Sequence, residues 1–66
     1  MNFGEKIKAA RKKLFLSQEA MAKELGVSFS TLNRWENGKF DPNYKAQKTF
    51  YEYCVKNNVV FKEEED

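Results

Sequence analysis

Sixty-six residues carrying 12 Lys/Arg against 10 Asp/Glu, with 41% hydrophobic and 33% charged residues, suit one small globular domain and leave no room for a second. A single cysteine, Cys54, excludes an internal disulfide, and the absence of histidine leaves no ligand set for zinc or another catalytic metal. No apolar run approaches the roughly 18 residues that span a bilayer, so the expectation is a cytoplasmic protein without membrane contact.

The charge is polarised: residues 1–48 hold ten Lys/Arg and five Asp/Glu, residues 49–66 two and five. A basic front and an acidic rear suit a polyanionic partner, and they equally suit an ordinary solvated surface.

Phe3, Ile7, Ala10 and Leu14 recur at helical spacing and predict a first amphipathic helix over 3–14, with Lys6, Lys8, Lys12 and Lys13 on a solvated face. Phe15 and Leu16 form a short link. Ser17 caps a second helix over 18–25, with Glu19 near the positive end of its dipole, and Gly26 closes it. Ser28 opens a third helix only two residues later, running to the Asn37-Gly38 stop with Leu32 and Trp35 turned inward.

Asp41-Pro42 predicts a fourth helix over 42–56, with Asp41 as cap and Pro42 in the first helical position. Ala46, Thr49, Phe50, Tyr53 and Cys54 form its core stripe. Val59-Val60-Phe61 is expected to fold back over the core. The domain thus spans 1–61, followed by an acidic flexible tail at 62–66.

Two helices across a tight turn need a small residue where they cross, a glycine in the turn and apolar pins on both sides. Ala22 and Gly26 meet the first two demands, and Met21, Leu25, Val27, Leu32 and Trp35 the third. The stretch Leu16-Ser17-Gln18 through Ala22, Leu25-Gly26-Val27-Ser28 and Trp35-Glu36-Asn37-Gly38-Lys39 resembles the Cro/C1-type, lambda-repressor-like helix-turn-helix family, with the motif at 17–38 and the match covering about 3–56.

The resemblance implies a compact all-α bundle, usually of five helices, of which this sequence shows four short ones with a fifth left open, and a repressor-like prokaryotic or phage regulator that binds double-stranded DNA. It further implies phosphate contacts from Gln18, Ser28, Asn37 and Lys39, and a structural ion pair between Arg11 and Glu36. Geometry adds the readers independently: with Leu32 and Trp35 inward, Phe29, Ser30, Asn33 and Arg34 face away from the core, and residues of these types match base edges in the major groove. Phe29 fits a thymine methyl contact, a staple onto the turn or a protein partner.

Tyr44 and Tyr51 are the candidates for a homodimer patch. Without histidine, a phosphate loop or paired carboxylates, no catalytic role, cofactor or small-molecule pocket is expected. The competing reading is a protein-interaction module on the same scaffold, such as a subunit of a regulatory or toxin-antitoxin assembly.

Overall fold

The computed structural model describes residues 1–61. The expected acidic tail at 62–66 lies outside the described residues. Four helices follow one another: α1 (Phe3–Lys13), α2 (Gln18–Leu25), α3 (Phe29–Glu36) and α4 (Tyr44–Lys56). The fold is all-α, and no helix among the described residues is long and apolar enough to cross a membrane.

Each helix starts and stops by the same two devices. Asn2, Ser17, Ser28 and Asn43 are the N-caps, each accepting a backbone N–H from three residues ahead. Asn2 and Glu5 bond reciprocally as a capping box, a signal present in the sequence as Asn-x-x-Glu. At the other ends, Phe15, Gly26, Gly38 and Asn58 take positive φ values of 57°, 74°, 75° and 58°. The amide after each of these residues reaches back to the carbonyl five positions earlier, as in Leu16 N–H to Arg11 and Val59 N–H to Cys54. All four helices therefore close with a Schellman turn.

Glycine fits that backbone without a steric penalty, whereas phenylalanine strains it. Phe15 adopts it while 95% exposed, with no burial to offset the strain. Replacing Phe15 by glycine is expected to raise stability by about 0.5–1 kcal/mol, read as a higher urea midpoint.

The sequence reading of α4 needs correction at its start. Asn43, not Asp41, is the cap, and Pro42 precedes the helix. Pro42 is buried, and its carbonyl accepts the Gln47 side-chain amide at 2.8 Å, so beginning two residues later satisfies a buried group as well as the helix end. Thr49 is also misassigned: it lies off the stripe of Ala46, Phe50, Tyr53 and Cys54, is exposed, and donates its hydroxyl to the Lys45 carbonyl.

Ile7, Ala10, Met21, Ala22, Leu32, Phe50, Cys54, Val59 and Phe61 form one continuous core. Val59 and Phe61 point in and Val60 points out, so the segment after α4 covers the core in extended form. Phe50 packs its ring against Phe3 at 5.3 Å and Phe61 at 6.4 Å between centroids, which ties the start of α1 and the segment after α4 to α4. Lys6 departs from the solvated face expected for it. Its ammonium donates to the Tyr51 hydroxyl at 3.1 Å and sits 5.9 Å from the Phe61 ring centre. Tyr51, one of the two tyrosines expected to be exposed, is half-buried against Phe3 and Phe50; Tyr44 is the exposed one.

Candidate nucleic-acid interface

Two short helices separated by Gly26 and Val27 form the centre of the site. The left-handed Gly26 turns the chain sharply, and Ser28 then caps α3, its hydroxyl accepting from the Thr31 amide and donating to the Thr31 hydroxyl. Leu32 is fully buried and Trp35 packs half-buried on the core, which fixes the roll of α3 about its axis. Phe29, Ser30 and Arg34 are consequently exposed, and Asn33 is partly so.

Beneath them runs a continuous polar network. Glu36, 7% exposed, takes the Arg11 guanidinium side-on, Nε to Oε2 at 2.7 Å and Nη2 to Oε1 at 3.0 Å. Arg11 also donates to the Leu16 carbonyl at 3.2 Å, so one side chain joins α1, the α1–α2 link and α3. Hydrogen bonding to Glu36 raises the Arg11 pKa further above its already basic value.

From Glu36 the network runs outward. Gln18 donates to Glu36 Oε1 at 3.1 Å, Asn33 donates to Gln18 Oε1 at 3.2 Å, and Asn37 donates to Asn33 Oδ1 at 3.0 Å. Each amide is thereby oriented by its neighbour. Gln18 has one N–H left over, and Asn33 retains one N–H and one acceptor lone pair.

The sequence-derived residues thus gather on one face. Gln18, Asn33 and Asn37 are linked directly, Arg11 and Glu36 anchor them, and Phe29, Ser30 and Arg34 flank them. Lys39 is exposed just after Gly38. Ser28 stands apart from this linkage, its hydroxyl engaged within its own turn.

Three contributors escaped sequence reasoning. Lys8 shares with Gln18, Phe29 and Asn37 an open groove between the α1, α2 and α3 ends, although the helical period alone placed it on an ordinary solvated face. Phe40 stacks under Arg34, with the guanidinium carbon 5.6 Å from the ring centre. Gly4 lets α1 press directly on the end of α3: a Cβ there would lie 2.2 Å from the Trp35 carbonyl oxygen. Of these, only Lys8 carried a usable signal, being one turn before Arg11.

Comparison with known proteins bears on the family of this fold. A helix-turn-helix family model matches residues 7–46. Over 40 residues the chain is 45% identical to Repressor protein C2 of Salmonella phage P22, covering 61% of this chain and 18% of that protein. Over 48 residues it is 40% identical to the HTH-type transcriptional activator BcrR of Enterococcus faecalis, covering 73% and 24% respectively. The chain therefore spans only a fifth to a quarter of the length of these curated relatives. No solved structure matches it significantly. With the family model covering more than half the chain and the capped, glycine-turned helix pair in place, this protein belongs to the Cro/C1-type helix-turn-helix family.

Proposed function

We propose that this chain binds double-stranded DNA in a sequence-specific manner and serves transcriptional regulation without enzymatic activity, with α3 in the major groove. The observation that carries the reading is the exposed start of α3, presenting Phe29, Ser30 and Arg34 beside an amide network already oriented for contact. The names of a repressor and an activator among the relatives support the class of function, not its direction.

In this reading phosphates are held at two edges. The α2 N-terminus offers first-turn amides that have no intrahelical acceptor, joined by the remaining Gln18 N–H and by Lys8. Asn37 and Lys39 hold the other edge. Ser28 contributes chiefly by capping α3 so that its first turn can approach the duplex.

Base readout falls to four side chains. Arg34, steadied by Phe40, suits the paired acceptors of guanine; Asn33 brings a preset amide to adenine; Ser30 donates or accepts; Phe29 packs on thymine methyls. Orientation before binding reduces the entropy lost on binding.

Fluorescence anisotropy with a duplex selected from a random pool tests the assignment. Arg34→Ala is expected to weaken the selected duplex about tenfold or more while leaving a scrambled duplex nearly unchanged. Lys39→Ala should weaken both duplexes and lower the salt slope by about one. Equal losses on both duplexes for Arg34→Ala would remove it from base readout, and no binding at low salt would overturn the function.

A further inference from the structure

Phe29, the first residue of α3, is the one member of the proposed base-reading set whose side chain has no polar atom. Its ring is 48% exposed and lines the open groove with Lys8, Gln18 and Asn37. The polar groups around it are committed elsewhere. Ser28 donates its hydroxyl proton to Thr31, Gln18 spends one N–H on Glu36 and its Oε1 on Asn33, and Asn37 donates to Asn33. What Lys8, Gln18 and Asn37 retain goes to phosphate in the proposed complex, so a base edge opposite Phe29 meets an apolar ring alone.

Given the DNA-binding function proposed above, on which this rests, we infer that Phe29 recognises the pyrimidine C5 methyl group itself and not the base that bears it. Thymine and 5-methylcytosine are then equivalent beneath the ring. That methyl is the only apolar group a pyrimidine edge offers in the major groove. In polarity the two bases differ there, because thymine O4 accepts and cytosine N4 donates. A ring with neither donor nor acceptor does not separate these, but it gains from covering a methyl group on either base. A polar side chain at the same place would do the reverse, telling thymine from cytosine and ignoring the methyl. Methylation of a cytosine at this position therefore turns a weak site into a strong one, and occupancy of such a site follows the methylation state of the DNA.

Selection from a random duplex pool with the wild type and with Phe29→Ala locates the position, as the one whose thymine preference the variant loses. Fluorescence anisotropy then compares four duplexes that carry thymine, uracil, 5-methylcytosine or cytosine there. Thymine against uracil and 5-methylcytosine against cytosine are the informative pairs, because each differs by one methyl group and nothing else. For the wild type each methyl is expected to tighten binding about fourfold. Phe29→Ala should abolish both differences, whereas Phe29→Leu, still apolar, should keep them. Circular dichroism checks that both variants keep their helices, which is expected because the ring lies outside the core. A wild type that prefers thymine to uracil but binds 5-methylcytosine and cytosine equally would overturn the inference and leave the function standing. So would methyl discrimination that survives Phe29→Ala, or a selection in which that variant changes no position. Failure of the wild type to bind any duplex at low salt would overturn the function and the inference together.

Discussion

Replacing Glu36 by alanine is expected to destabilise the protein by about 3–5 kcal/mol, which for a domain of this size approaches its entire stability. The carboxylate is the acceptor for two Arg11 nitrogens and for Gln18, and its side chain is only 1% exposed. Removing it strands a guanidinium whose side chain is 18% exposed and leaves an amide without its acceptor. Glu36→Gln keeps the shape and one acceptor oxygen, so its cost should be smaller, about 1–3 kcal/mol. Urea unfolding followed through Trp35 fluorescence measures both. A near-wild-type midpoint for Glu36→Ala would mean that the pair contributes geometry and little energy.

The consequence extends beyond stability. Glu36 orients Gln18, which orients Asn33, which orients Asn37, so loss of the anchor releases three amides on the proposed DNA face together. Under conditions where Glu36→Gln remains folded, its affinity for a selected duplex should therefore fall even though Glu36 itself lies below the contact surface.

Gly4→Ala should be comparably severe, costing at least about 2–3 kcal/mol. In an open helix the same change would stabilise by up to about 1 kcal/mol, because alanine is the better helix former. Here the added methyl would meet backbone, 2.2 Å from the Trp35 carbonyl oxygen and 3.2 Å from that of Glu36. A flexible side chain could swing away; the end of α3 cannot move without disturbing the Schellman turn that uses that same Trp35 carbonyl. Thermal unfolding by circular dichroism distinguishes the two signs directly. A raised midpoint would show that α1 can slide outward at little cost.

The helix-turn-helix was legible because its constraints are local. Ser17, Gly26, Ser28 and Asn37-Gly38 act within one or two turns of where they stand, and a 3.6-residue period shows which side chains must be inward. Lys6 was misread for the opposite reason: helical period distinguishes the faces of α1 but does not say that Tyr51 and Phe61 will arrive from the far end of the chain to cover one of them. The start of α4 failed because Asp41-Pro42 is a strong local start signal, whereas the fold buries Pro42 and starts the helix after Asn43.

What sequence by itself determined, then, was everything governed by short-range stereochemistry: four helices, three of their four boundaries at the N-terminal end, the inward roll of α3 and hence the outward set of Phe29, Ser30 and Arg34. Tertiary structure decided the rest. Linking Glu36, Gln18, Asn33 and Asn37 into one network, bringing Phe40 beneath Arg34 and pressing Gly4 onto Trp35 all depend on where helices cross. Crossing is set by the packing of side chains distant in sequence, and no local pattern encodes that distance.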